Sequence, residues 1–149
     1  TDRLLHMDAN ALWLNPAGIG FALTRNVMGK SVLIVDDNDH LRQILASILR
    51  FSGYQVSEAV SGIEAIDKAV LVKPSLILLD LSLPDMSGIN AARAIKKNRL
   101  TTEIPIIAFS AYSREEEMEE ALRAGIVDYL QKPIPAALIK AKIQEFILP

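Results

Sequence analysis

Five polar residues lie at, or within two positions of, the ends of short apolar runs in this sequence: Asp36, Asp37, Asp80, Ser110 and Lys132. If those runs are parallel strands of one sheet, the five side chains converge on a single edge, because ligands bind outside the carboxyl ends of such strands. Three carboxylates that close together repel one another, and without a cation at least one is pushed toward protonation. The pattern therefore predicts an acidic cation site with a hydroxyl and an ammonium group beside it.

Magnesium is the ion that suits this cluster, because Mg²⁺ takes carboxylate, water and phosphate oxygens and needs no His or Cys ligand. An aspartate beside such an ion can attack phosphorus and form an acyl phosphate. Positioning and charge neutralisation then do most of the work. In that chemistry Lys132 would offset the charge of the phosphoryl oxygens, and Ser110 would donate a hydrogen bond to one of them.

Each of these residues also has a plainer interpretation. An aspartate or serine at a strand end is often only the N-cap of the next helix, which would account for Asp36, Asp37 or Ser110 taken singly. A lone Lys132 would ordinarily be a solvated charge. The functional interpretation depends on the whole set occurring together at four strand ends.

The segments between these residues alternate in type from Lys30 onward. Apolar or β-branched runs alternate with segments of helical period, which predicts a parallel sheet with helices on both faces. The predicted strands span residues 31–36, 54–59, 75–79, 104–109 and 127–130. The predicted helices begin near residues 39, 61, 89, 113 and 135, and the last ends at 148. These five βα units form one predicted domain, residues 30–149.

The first predicted helix has the clearest amphipathic pattern. Its apolar residues recur at i, i+3, i+4, i+7 and i+8, and they are Leu41, Ile44, Leu45, Ile48 and Leu49. This spacing predicts a helix with those residues on one face. Asn38 or Asp39 is available as its N-cap, and Gly53 as its C-terminal stop.

Residues 1–29 do not follow the alternation, and their apolar residues have no period that predicts an element. One interpretation is a native extension that packs on the domain or on a partner. The other is linker or vector sequence, an interpretation suggested by Met28 directly before GKSVLIVDD.

Composition excludes several classes of function. The net charge is -2 with 23% charged residues, so no basic excess favours direct binding of nucleic acid. The absence of cysteine removes thiol nucleophiles and Cys-based metal sites, and it agrees with a reducing compartment, so we expect a cytoplasmic protein. No apolar run approaches the roughly 20 residues that span a bilayer, and the start lacks the pattern of a secretory signal, so we expect no membrane association.

Four segments, VLIVDDN, LLDLSLPDMSG, IAFSAYS and YLQKPI, resemble in order and spacing the signature segments of the response-regulator receiver family of two-component signalling. The joint pattern is specific, although each segment alone would be weak evidence. The resemblance implies a CheY-like, flavodoxin-like doubly wound (βα)5 fold with strand order 2-1-3-4-5. It also implies a phosphoaccepting signalling switch that is not an enzyme in the ordinary sense.

The resemblance assigns a role to each matching position. Asp80 matches the phosphoacceptor and a Mg²⁺ ligand, Asp37 a direct ligand, and Asp36 a ligand through water. The backbone carbonyl of Ser82 matches a further ligand. No residue at these positions departs from the family pattern, so the resemblance implies intact Mg²⁺-dependent chemistry.

The resemblance also implies which residues act in switching and which set the lifetime of the phosphoryl group. Ser110 matches the switch hydroxyl, Lys132 the family's lysine, and Tyr129 the aromatic residue that swings inward when the hydroxyl moves to the phosphoryl group. Ser82 and Tyr112 resemble positions that tune the lifetime of the phosphoryl group by admitting or blocking water. The bond from Lys132 to Pro133 is typically cis in the family.

The resemblance also implies partners. A histidine kinase or a histidine phosphotransfer protein would supply the phosphoryl group, and the fourth helix, fifth strand and fifth helix would present the output surface. That surface would contact a downstream protein or form a homodimer. The acidic start of the fourth helix, residues 114–120, is either a solvated face that suits the helix dipole or a surface for a basic partner.

Two other functions stay open at this point. An aspartyl-phosphate hydrolase of the haloacid dehalogenase type also places an aspartate nucleophile on a parallel sheet, but Leu41 stands where that family has Thr or Val, and its cap domain or further acidic motif is missing. A receiver-like interaction module that is never phosphorylated is the other alternative. The intact set of aspartates, serine and lysine speaks against it.

Overall fold

The structure is a computed structural model that describes residues 29–111 and 114–147. Its strands are β1 (Ser31–Val35), β2 (Gln55–Ala59), β3 (Leu76–Asp80), β4 (Ile106–Ser110) and β5 (Asp128–Gln131). Its helices are α1 (Asp39–Phe51), α2 (Gly62–Val72), α3 (Gly88–Lys97), α4 (Glu115–Arg123) and α5 (Ala136–Ile147). The predicted alternation is confirmed, while the predictions for residues 1–28, Tyr112 and Leu148 lie outside the described residues.

The five strands form one sheet in the order β2-β1-β3-β4-β5, which is the predicted order, and all four pairs are parallel. The predicted strand ends differ by one or two residues. In the fourth strand the cause is clear: Ile104 donates its N–H to the carbonyl of Thr101 in a turn (3.1 Å), and Pro105 has no N–H, so β4 starts at Ile106. Within the described residues, no helix is long and apolar enough to cross a membrane.

Apolar side chains on the two faces of the sheet build two separate cores. Along β1, Leu33 and Val35 point into the core beneath α2, α3 and α4, while Val32 and Ile34 point into the core beneath α1 and α5. Both faces of the sheet are therefore covered by helices. This arrangement explains why the central strands are apolar throughout instead of alternating apolar with polar residues.

The buried face of α1 differs from the predicted stripe. The buried residues are Arg42, Leu45, Ala46 and Leu49, whereas Ile44 is 46% exposed. The helix can turn Arg42 inward because its guanidinium donates to three oxygens at 2.7–3.0 Å, on Asp36, Asp39 and Glu58. The predicted N-cap is confirmed as Asn38, whose side chain accepts from Leu41 N at 3.0 Å.

Gly88, the first residue of α3, lies directly against the end of β3. A Cβ atom there would be 2.4 Å from the carbonyl oxygen of Asp80 and 2.6 Å from Cα of Leu81. Both contacts are with backbone, which can give way only by moving the end of the strand. The glycine is therefore required by close packing behind the polar cluster.

Gly88→Ala is accordingly expected to lower the free energy of unfolding by about 1–3 kcal/mol, the usual range for overpacking a rigid site. Urea denaturation followed by circular dichroism measures this change. Gly62→Ala is the control, since its Cβ would meet side-chain atoms and no backbone: Met86 at 2.3 and 2.7 Å and Asp85 at 3.4 Å. A larger loss of stability in the Gly62 variant would contradict this explanation.

Candidate functional site

Three aspartates meet at the carboxyl edge of the sheet. Asp80 is the last residue of β3, and Asp36 and Asp37 follow β1. One carboxylate oxygen from each lies within 4.8 Å of the others. Asp36 is fully buried, Asp80 is 3% exposed, and Asp37 is exposed, so the cluster is closed on one side and open to solvent at Asp37.

The two buried carboxylates are each oriented by a backbone N–H group. Oδ1 of Asp36 accepts from Asn38 N and Oδ1 of Asp80 accepts from Ser82 N, both at 2.9 Å. Because Asn38 is the N-cap of α1, neither Asp36 nor Asp37 performs that task. The simple capping interpretation of these two residues is therefore wrong.

Lys132 links the two buried carboxylates. Its Nζ lies 3.2 Å from Oδ2 of Asp36 and 3.2 Å from Oδ2 of Asp80, and it stands 4.8 Å from the centre of the Phe109 ring. The side chain is only 23% exposed. Lys132 is thus held between two carboxylates and an aromatic face, which excludes the interpretation of a lone solvated charge.

The backbone on both sides of Lys132 is also fixed. Its N–H donates to the carbonyl of Ser110 at 2.8 Å, and the peptide bond to Pro133 is cis, as the resemblance implies. Ser110, the last residue of β4, is 1% exposed. The N-cap of α4 is Arg114, so Ser110 does not cap that helix either.

The pKa of Asp80 is raised to about 6, and burial is the largest cause. The Asp36 carboxylate pushes it further in the same direction, while the Ser82 N–H and the Lys132 ammonium act against the shift. The charge of Asp36 is thus a smaller cause than burial, but it is the like-charge conflict that the sequence predicts, and Lys132 acts against it. A divalent cation would relieve the remainder.

Tyr129 connects the buried hydroxyl of Ser110 to α4. Its hydroxyl donates to Oε1 of Glu117 at 2.7 Å. Burial raises the pKa of Tyr129, and Glu117 raises it further, while a hydrogen bond with Ser110 acts in the opposite direction. The side chains of Ser110, Tyr129 and Glu117 therefore form a connected path from the edge of the sheet to α4.

The structure also places residues that the sequence did not single out. Glu117 was one of several glutamates in an acidic block, with nothing to distinguish it. Arg42 donates to the backbone carbonyl of Asp36 at 2.8 Å while being 8% exposed. In the sequence, Arg42 is a charged residue among the apolar positions of a predicted helix. That pattern indicates a buried arginine only when the buried face of the helix is known.

The loop after Asp80 presents Ser82 to solvent, and Ser82 pairs with Ser87 in an isolated antiparallel bridge. The role of the Ser82 carbonyl as a metal ligand stays a prediction. The ligand atoms that the described residues bring together here are three carboxylate oxygens. An oxygen-only set with one solvent-exposed carboxylate fits Mg²⁺, which keeps several waters when protein-bound.

Comparisons with known proteins agree with this geometry. The sequence profile of a family described as "Response regulator receiver domain" matches residues 32–144. The phosphate regulon transcriptional regulatory protein PhoB of Pseudomonas aeruginosa is 39% identical over 118 residues, which are 79% of this chain and 52% of that protein. The chain thus spans about half the length of PhoB. The chemotaxis protein CheY of Thermotoga maritima is 38% identical over 116 residues, 76% of this chain and 95% of that protein.

A solved structure extends the similarity to three dimensions. The receiver domain of a sensor histidine kinase from Pseudomonas aeruginosa PAO1, crystallised with a magnesium ion coordinated in its active site cleft, superposes with a TM-score of 0.74 at 33% identity. The similarity covers 79% of this chain and 97% of that domain.

Proposed function

Because this chain belongs to the family of response regulator receiver domains of two-component signalling, we propose that it is a switch in which Asp80 accepts a phosphoryl group. The observation that carries the proposal is the position of Asp80. It is buried at a strand end, with one oxygen held by the Ser82 N–H and the other 3.2 Å from the ammonium of Lys132. A carboxylate held in this way is presented for attack on phosphorus instead of capping a helix.

Asp36, Asp37, Asp80 and the backbone carbonyl of Ser82 would hold a Mg²⁺ ion. When bound, the ion supplies positive charge that neutralises the carboxylates and the phosphoryl oxygens. The magnesium in the related receiver domain from Pseudomonas aeruginosa supports this assignment. The raised pKa of Asp80 supports it too, since burial and then the Asp36 charge disfavour the ionised carboxyl, and a bound cation would offset both.

In the transfer step, one carboxylate oxygen of Asp80 forms a bond to phosphorus as the bond from phosphorus to the donor breaks. The electron pair of the broken bond stays with the donor, which is a histidine nitrogen of a kinase or of a phosphotransfer protein. Lys132 then offsets the charge on the phosphoryl oxygens, and the Ser110 hydroxyl donates to one of them. The products are an acyl phosphate on Asp80 and a free donor histidine.

The signal would leave the site through Tyr129. If the Ser110 hydroxyl turns to the phosphoryl group, its hydrogen bond with Tyr129 is lost, and the bond from Tyr129 to Glu117 carries the change to α4. The face formed by α4, β5 and α5 would then bind a downstream protein or a second copy. Ser82 and Tyr112 would set the lifetime of the acyl phosphate. We place this activity in the cytoplasm and in a domain of residues 30–149.

Incubation of the full chain with acetyl phosphate and MgCl2 is expected to add one phosphoryl group that is acid-stable and base-labile, as an acyl phosphate is. Peptide mapping should place it on Asp80, the carboxylate at the end of β3 that the proposal makes the phosphoacceptor. Removal of divalent ions with EDTA should suppress the reaction, since the acidic cluster then repels the anionic donor. Intact-mass spectrometry measures the adduct.

The alternatives give different results in the same experiment. A folded protein that binds Mg²⁺ and acquires no adduct would be an unphosphorylated interaction module. Rapid release of phosphate from small phosphate esters would favour a hydrolase, which the family match over residues 32–144 does not support. Either outcome would overturn the proposal.

A further inference from the structure

The tip of the loop between β3 and α3 is fastened to a neighbouring helix. The carboxylate of Asp85 accepts hydrogen bonds from the N–H groups of Gly62 at 2.8 Å and Ile63 at 2.9 Å, in the first turn of α2. Helix N–H groups at these positions have no partner within their own helix. The two hydrogen bonds lower the pKa of Asp85, so the ionised carboxylate is the form that binds α2.

This contact is separate from the capping of α2. The N-cap of α2 is Ser61, whose hydroxyl accepts from Glu64 N at 3.1 Å. Asp85 binds two other N–H groups of the same turn and comes from a loop more than 20 residues away in sequence. The Asp85 contact therefore joins two elements of the fold, whereas the Ser61 contact only terminates one.

Met86, the residue after Asp85, packs closely against the same turn of α2. A Cβ atom on Gly62 would lie 2.3 Å from Cγ and 2.7 Å from Sδ of Met86. A Cβ atom at this position would therefore require the Met86 side chain to move. Hydrogen bonds accepted by Asp85 and packing of Met86 thus hold the loop tip on the start of α2.

The base of the loop lies in the acidic site. Ser82 N donates to Asp80 at 2.9 Å, Ser82 pairs with Ser87 across the loop, and Gly88 packs against the carbonyl of Asp80. Few residues separate this base from the tip at Asp85. The orientation of the Ser82 backbone is therefore coupled to the position of the tip.

We propose that Asp85 is a positioning residue for the metal site: by holding the loop on α2, it keeps the Ser82 backbone oriented toward Asp80 and strengthens Mg²⁺ binding. Asp85 itself does not contact the ion. The inference rests on the proposed function, because it takes the Ser82 carbonyl as a Mg²⁺ ligand.

The test is a titration of the full chain with MgCl2, followed by backbone amide chemical shifts in NMR spectra. Asp85→Ala is expected to raise the Kd for Mg²⁺ about tenfold, the effect typical of residues that orient metal ligands. Asp85→Asn keeps one acceptor oxygen and the side-chain volume, and should have a smaller effect in the same direction. Asp85 is exposed, so both variants retain the core.

Two control variants separate this role from others. Asp67→Ala removes an exposed carboxylate from α2 without touching the loop, and should leave the Kd unchanged. Ser61→Ala removes the N-cap of α2, and should lower the urea midpoint of unfolding without changing the Kd.

The outcomes distinguish the two proposals. If the wild-type chain does not bind Mg²⁺, the proposed function fails. If the wild type binds and Asp85→Ala binds equally well, the positioning role of Asp85 is overturned while the proposed function stands. Equal weakening in Asp85→Ala and in either control would also overturn it, because the effect would then come from helix stability or net charge.

Discussion

Asp80→Asn is expected to abolish the phosphoryl adduct and, without a divalent ion, to raise the free energy of unfolding by about 2–3 kcal/mol at pH 8. The adduct is lost because the amide is no nucleophile. The gain in stability follows from the pKa of Asp80, which is raised to about 6 in the folded chain, chiefly by burial and in part by Asp36. An unfolded aspartate titrates near 3.9, and each unit of difference corresponds to about 1.4 kcal/mol.

The pH dependence identifies the cause of that gain. A raised carboxyl pKa means that the folded state holds the proton more tightly, so the wild type loses stability as the pH rises from about 4 to about 6, and the full penalty applies above about 6. Below about pH 4 the group is protonated in both states and the penalty vanishes. The stability advantage of Asp80→Asn should therefore be large at pH 8 and small at pH 4.

Urea denaturation in EDTA at several pH values measures this difference. Addition of MgCl2 should stabilise the wild type more than Asp80→Asn, because the ion binds only the folded state and removes the repulsion. Asp67→Asn is the charge-matched control, and it should retain both phosphorylation and wild-type stability. An advantage of Asp80→Asn that does not vary between pH 4 and pH 8 would contradict the assignment of a strained carboxylate.

Lys132→Ala is expected to slow formation of the adduct by about 10²–10³-fold, the usual effect of removing one preorganised group that stabilises developing charge. The ammonium group of Lys132 lies 3.2 Å from Asp80 and from Asp36, and 4.8 Å from the centre of the Phe109 ring, which restricts its position. It therefore needs little reorganisation to reach a phosphoryl group on Asp80. The alanine variant lacks that charge and leaves the two buried carboxylates without their ammonium partner.

The rate of adduct formation from acetyl phosphate at saturating MgCl2 measures this effect. Lys132→Arg keeps the charge but has a planar guanidinium in place of a compact ammonium, so it should fall between alanine and the wild type. Lys142→Ala removes a lysine of α5 that pairs with Asp128, and it should leave the rate unchanged. A Lys132→Ala rate close to that of the wild type would remove the lysine from the proposed mechanism.

Much of the fold follows from the order of apolar and amphipathic segments along the chain. Alternation of buried runs with helical segments predicts a parallel sheet covered on both faces, and the strand order implied by the resemblance is confirmed. The exact strand boundaries do not follow from this pattern, because a strand end depends on local hydrogen bonds such as the one from Ile104 to Thr101. The inward face of α1 was predicted only in part, since three oxygen acceptors allow Arg42 to be buried.

The sequence alone determined which polar residues would share one edge of the sheet. In a parallel sheet all carboxyl ends point the same way, so Asp36, Asp37, Asp80, Ser110 and the neighbourhood of Lys132 meet whatever the details of packing. That inference requires only the positions of the strand ends and the common direction of the strands. It requires no interatomic distances. The sequence therefore identifies these residues, although their roles in phosphotransfer stay predictions.

Only the tertiary structure decided how those residues affect one another and what supports them. The shared position of Lys132 between two carboxylates, the raised pKa of Asp80 and the path from Tyr129 to Glu117 depend on ångström-scale distances and on burial. The contact of Asp85 with α2 joins segments that are distant in sequence. Such contacts arise from packing of one element on another, and no periodicity within a single segment encodes them.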